Sequence, residues 1–176
     1  MSEPTSQAPR LWTSEGFCDD GWRHAESIDS PGNDGVILPL VAWKALDAET
    51  RAANRDRVGV LLAPAEAVDE IADALGDLPL VALAFPAFSD GRSFSKAELL
   101  RSRYGYRGTI RASGQVLIDQ IPLMLRTGFD AFEVSNPIAL ARLEAGRLGG
   151  LPLHYQPTAK AEAAGAKYAW RRQKGD

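Results

Sequence analysis

The residues best suited to chemistry stand at three places where an apolar run gives way to polar groups. The first set is Phe88, Ser89, Asp90 and Arg92; the second is Arg111, Ser113, Gly114 and Gln115; the third is Glu133, Ser135 and Asn136. An arginine guanidinium presents donors in a rigid fork that matches an oxyanion, and the N–H groups at the start of a helix favour negative charge. Arg92 and Arg111, with Ser113, Gly114 and Gln115, therefore form a candidate site for sulfate, sulfite, phosphate or carboxylate. Asp90 and Glu133 are placed to orient those arginines or to take a proton. Asp119 and Gln120, on the helix expected after the second set, would support the site from behind. The same four charges, Asp90, Arg92, Arg111 and Glu133, also suit a plain ion-pair network that ties loops together.

Other chemistries leave no trace. Cys18 is the single cysteine of 176 residues, so the chain has no internal disulfide and no cysteine set for an iron–sulfur cluster. A lone cysteine of this kind is expected as a small buried apolar group. His24 and His154 lie far apart, without metal-ligand spacing, so no metal site is expected. Neither a GxGxxG nor a GxxxxGK[ST] loop occurs, which removes the usual dinucleotide and nucleoside triphosphate sites. No GxSxG turn exposes a serine. The cofactor is left unknown. A net charge of −3 and a pI near 5.5 argue against nucleic acid as a partner. No apolar stretch is long enough for a membrane helix, and the polar first residues lack the core of a secretory signal. A cytoplasmic protein is expected.

The elements that must position these residues follow from periodicity. From about residue 57, "VGVLLAP", "LPLVALAFP", "RGTIRAS" and "FDAFEVS" read as strands. Each precedes a stretch with helical spacing: "AEAVDEIADALG", "SFSKAELLRSRYG", "GQVLIDQIPLMLRTG" and "NPIALARLEAG". Ser95 with Glu98 suggests a capping box, Pro122 should kink the third helix or shift its start, and Asn136 followed by Pro137 suits a cap and a first turn. Four β/α units in series imply a parallel sheet, as a partial (β/α) barrel or an open wound sheet. Ligands then bind at the carboxyl ends of the strands, where all three polar sets lie. Upstream, "RLWTSEGFCDDGWRHAES" reads as an irregular hairpin, "GNDGVILPL" as an apolar run and "LVAWKALDAETRAANR" as one helix. This front third is expected to be accessory. Residues 1–9 read as a flexible tail, 10–157 as a single α/β domain and 158–176 as a basic tail.

Residues 85–134, "FPAFSDGRSFSKAELLRSRYGYRGTIRASGQVLIDQIPLMLRTGFDAFEV", carry the pattern F-P-x-F-x-D-G-R, R-x-R-[FY]-G-[FY], G-x-[IL]-R-A-x-G-x-V-L-x-D-Q and G-F-D-A-F-E. In this the chain resembles an uncharacterised bacterial family catalogued as domain of unknown function 934. Members are typically encoded beside sulfite reductase and the sulfonucleotide reductase of sulfate assimilation, and are commonly labelled oxidoreductases of sulfite reduction. The resemblance implies an accessory protein or oxidoreductase of assimilatory sulfite reduction, with sulfite reductase or another enzyme of that pathway as partner. If the chain is an enzyme, it would be an oxidoreductase. Because the residues offer no evident place to hold electrons, an accessory role is the leading expectation. The alternatives are an autonomous enzyme using Asp90 and Glu133 for acid–base chemistry, with a small anion or a borrowed flavin on the arginines, and a non-catalytic interaction module. A homodimer is a further expectation, since four β/α units make half of an eightfold barrel.

Overall fold

The computed structural model describes residues 8–28, 34–87 and 89–149. Phe88, most of the N-terminal tail and the basic C-terminal segment lie outside the described residues. In chain order the elements are β1 (Arg10–Thr13), β2 (Gly16–Cys18), β3 (Trp22–His24), β4 (Gly35–Pro39), α1 (Leu40–Ala45), α2 (Ala48–Ala53) and β5 (Val58–Leu62). A 3-10 helix (Val68–Ala74) follows, then β6 (Leu80–Phe85), α3 (Arg92–Ser102), β7 (Thr109–Gly114), α4 (Ile121–Thr127), β8 (Ala131–Val134) and α5 (Pro137–Glu144). All eight strands form one sheet in the order β2-β1-β8-β7-β6-β5-β4-β3. β3 to β8 run parallel, and β1 is antiparallel to both β2 and β8.

Connectivity forces this sheet to curl. Laid flat, its two edge strands would stand about 34 Å apart, at about 4.8 Å for each step between neighbours. Those edges are β2 and β3, and residues 19–21 alone join them, a span of at most about 14 Å from Cys18 to Trp22. The result is a partial barrel with a seam between β2 and β3. One face of the central strands meets the helices: Val60, Leu83, Phe85, Ile110 and Phe132 share a core with Ile71, Leu100, Met124 and Leu140. The inner face holds a small cluster of Ile37, Leu80 and Ala82, with Trp22 and Leu61 against it. Gly35 sits opposite Trp22 in the ladder, and any Cβ there would come within 2.5 Å of the indole.

The alternation of strands and helices from residue 57 is as the periodicity predicts, and Asn136 caps α5 by accepting from Ile138 N and Ala139 N at 3.0 Å. Other local readings change. Residues 40–53 form two helices, because Asp47 caps a new one by accepting from Thr50 N at 2.7 Å. The expected helix after β5 is a 3-10 helix; its buried Val68 and Ile71 are three apart, the 3-10 repeat. Ser95 is not a cap. α3 starts at Arg92 after Gly91, its first turn tied down by the Ser93 hydroxyl donating to Ala84 O at 2.7 Å. Pro122 shifts the start of α4 to Ile121, so Asp119 and Gln120 lie in the preceding turn. Cys18 is exposed. No helix among the described residues is long and apolar enough to cross a membrane.

At the amino ends of the strands Arg101 acts as a brace. Its guanidinium donates to the carbonyls of Gly128 (3.0 Å), Tyr106 (2.6 Å) and Gly108 (2.9 Å) and pairs with Asp130. Asp130 in turn accepts from Ile110 N at 3.0 Å, fixing the start of β7. Gly128 has φ +112°, and a Cβ would sit 2.5 Å from Arg101 Cγ. Gly128→Ala should therefore cost about 2–3 kcal/mol from strain and displacement of the brace. Gly146→Ala, also at positive φ but facing open space, should cost about 1 kcal/mol. Urea unfolding of both variants checks the difference.

Candidate functional site

Strand alternation decides what faces inward. On β7 these are Arg111 and Ser113, on β8 Glu133, and on β3 Trp22 and His24. In the ladder Arg111 is flanked by Ala82 and Ala131, side chains small enough to leave the guanidinium room. Arg111 is only 2% exposed. Its Nη1 and Nη2 donate to Asp20 Oδ2 (2.9 Å) and Oδ1 (2.8 Å), and Nη1 also donates to Glu133 Oε1 at 3.2 Å. Asp20 belongs to the linker across the seam, and its Oδ1 also accepts from Trp22 N at 3.0 Å. Arg111 Nε is buried and has no acceptor among the described residues.

Glu133 is the hub. Its Oε1 also receives the His24 Nε2 hydrogen bond at 2.9 Å, and its Oε2 receives the Ser113 hydroxyl at 2.6 Å. Ser113 Oγ and His24 Nε2 are themselves 3.3 Å apart. Burial pushes the Glu133 carboxyl up, yet hydrogen bonds from His24 and Ser113 and the charges of His24 and Arg111 outweigh it. The net effect holds Glu133 below the usual carboxylate range. His24 is 41% exposed on its side chain and Asp20 32%, so the cluster opens to solvent through these two. With one arginine and two carboxylates the cluster carries a single negative charge, and protonation of His24 brings it to zero.

The sequence-derived candidates divide between two places. Arg111, Ser113 and Glu133 come together on the inner face of the sheet, Ser113 and Glu133 near the carboxyl ends of β7 and β8 and Arg111 in the middle of β7. Asp90 instead pairs with Arg92, accepting from its Nε (2.9 Å), Nη2 (2.7 Å) and backbone N (3.3 Å). The Arg92 hydrogen bond is the main reason that the Asp90 carboxyl falls to about 2. Among the described residues, no hydrogen bond or ion pair joins this pair to Arg111 or Glu133, so the four charges are not one network. Gly114 closes β7 at φ +101°, where a Cβ would lie 2.5 Å from Phe85 O; that contact lets Gln115 N donate to Phe85 O at 2.7 Å. Gln115, Ser89 and Asp119 are exposed, and Asn136 is a helix cap. Gln120 O accepts from Met124 N at 2.9 Å, in the first turn of α4.

Asp20 and His24 were not expected in the site, and they correct the view of the front third as accessory. The available signal was their spacing: Asp20, Trp22 and His24 alternate, as residues on one face of a strand do. Their partners lie 91 and 109 residues away.

The pattern of the bacterial proteins of unknown function designated DUF934 matches residues 59–165. The chain belongs to this family. Arg111, Ser113 and Glu133 fall inside the matched span, as does the Arg101 brace, whereas Asp20 and His24 precede it. A comparison with curated proteins finds no match.

Glu133→Ala leaves the buried guanidinium short of one carboxylate and should cost about 3 kcal/mol at neutral pH. Because the folded pKa of Glu133 lies below its ordinary 4.5, its contribution is present above that value and lost as pH falls through the folded pKa. The two stability curves should converge on acidification, which chemical unfolding at a series of pH values checks.

Proposed function

We propose that the protein serves assimilatory sulfite reduction as an accessory protein, and that a sulfur oxyanion is held at the Arg111 cluster. The observation that carries this reading is a fully buried arginine, with a donor still unused at Nε, lying beneath a half-exposed imidazole and a serine hydroxyl. These groups stand toward the carboxyl ends of parallel strands, where such folds place their ligands. The genomic setting typical of the resembling family supplies the choice of sulfur chemistry.

Charge sets the condition for binding. Asp20 and Glu133 exceed the charge of Arg111 by one, so an anion needs His24 protonated to enter without net repulsion. The site then offers the imidazolium and the remaining Arg111 donors, with Ser113 free to turn its hydroxyl from Glu133 to the ligand. Arg92 takes no direct part, because its guanidinium already serves Asp90.

The contacts of Glu133 also favour a second reading, acid–base chemistry by the protein itself. A carboxylate held low is a weak base, but it orients an imidazole well. His24 Nδ1 makes no hydrogen bond among the described residues, so protons can be exchanged there while Nε2 stays on Glu133. In that arrangement His24, in place of the expected Asp90, moves the proton.

Cells lacking the gene should grow on cysteine and fail or slow on sulfate; equal growth on both contradicts the pathway assignment. Calorimetry should show sulfite binding to the purified protein, weakened about tenfold or more by His24→Ala. Binding unaffected by that change places the ligand elsewhere. A Glu133→Gln protein that restores growth on sulfate would remove the acid–base reading while leaving the accessory role intact.

A further inference from the structure

Well away from the Arg111 cluster, a cavity of about 470 Å³ opens between the α1–α2 pair and the 3-10 helix. This is within the usual size of small-molecule sites. One wall carries Arg51 and Arg55, and the opposite wall carries Asp73 and Asp77. Opposite charges lining one cleft would be expected to pair across it. Here, among the described residues, they do not. Among the described residues the one carboxylate within 4.0 Å of the Arg55 guanidinium is its neighbour Asp56, at 3.9 Å, and neither Asp73 nor Asp77 makes an ion pair.

Arg51 is fixed in place. It stacks over Trp43 at 4.2 Å and donates from Nη2 to Lys44 O at 2.8 Å, while its Nε is buried and without an acceptor. A direct ion pair between Lys44 and Glu70 joins the two walls at one point. The floor between the walls includes Ile71, Ala74 and Leu78. Asp69, also in the lining, accepts from the Tyr104 hydroxyl. Walls that are positive on one side and negative on the other fit a molecule with the reverse polarity.

We propose that this cleft binds a free α-amino acid, its carboxylate toward Arg51 and Arg55, its ammonium toward Asp73 and Asp77, and an apolar side chain on the floor. Each charge of the ligand then meets a group that has no ionic partner of its own across the cleft, and the whole needs no change in net charge. The site is separate from the Arg111 cluster, and its ligand does not depend on the pathway proposed above.

The test is calorimetry and amide NMR of the full chain with L-leucine, N-acetyl-L-leucine and L-leucine methyl ester as probes. Saturable leucine binding is expected, with shifts confined to residues 43–55 and 68–78. Both derivatives, each lacking one charge, should bind about tenfold or more weakly. Arg55→Ala and Asp73→Asn, both at exposed positions, should keep the unfolding midpoint and weaken leucine by a similar factor. The proposal is overturned if leucine shows no saturation up to about 10 mM, a range that covers even weak binding. Derivatives that bind as well as leucine, or shifts that fall elsewhere, overturn it equally.

Discussion

A guanidinium enclosed within a protein must be met by negative charge and by acceptors for its donors, or it costs several kcal/mol. Arg111 imposes that requirement on the inner face of a curled sheet. It is answered from two distant parts of the chain: Glu133 on the neighbouring strand and Asp20 on the linker that crosses the seam. The second answer has a topological consequence. Asp20 also accepts from Trp22 N, so the carboxylate that neutralises Arg111 anchors the beginning of edge strand β3. His24, at the end of the same strand, reaches Glu133. β3 is therefore held to the opposite part of the sheet by side chains, where no backbone ladder joins it to β2.

The same segment of sequence does two different jobs at the two ends of the strands. At the amino ends, Arg101, Tyr106, Gly108, Gly128 and Asp130 form a brace in which an arginine satisfies backbone carbonyls, Gly128 makes room for it and Gly108 makes room for the Tyr106 ring. Tyr106 completes it by donating to Leu78 O at 3.0 Å, and burial raises its hydroxyl pKa. Toward the carboxyl ends, Arg111, Ser113 and Glu133 face inward and partly toward solvent. This division agrees with the general behaviour of β/α folds, in which the amino-end face serves stability and the carboxyl-end face holds the chemistry.

The regular half of the fold was legible because buried parallel strands and amphipathic helices leave strong periodic patterns. Asn136 was readable as a cap for the same reason, since its side chain acts on its own next turn. Ser95 misled because its S-x-x-E pattern is local, while the start of α3 is set by Ser93 reaching back to β6, a tertiary contact. The 3-10 helix escaped because Val68, Ile71 and Leu75 satisfy both the three- and four-residue spacings. In the site, Arg111, Ser113 and Glu133 could be placed by counting to strand ends. Asp20 and His24 could not, since nothing local shows that a short edge strand will be folded across the sheet. The pairing of Asp90 with Arg92, two residues apart, likewise needed the loop geometry to separate it from Arg111.

If the charge on Asp20 holds the seam, removing it should loosen one side of the sheet and not the other. Hydrogen exchange of Asp20→Asn against the parent chain measures this directly, because asparagine keeps the Oδ1 acceptor for Trp22 N while losing the charge and the Oδ2 acceptor for Arg111 Nη1. The account predicts faster exchange at residues 22–24 and 35–37, with protection across the β6–β7 ladder unchanged. Unaltered exchange at β3, or a uniform loss of protection throughout the sheet, would contradict it.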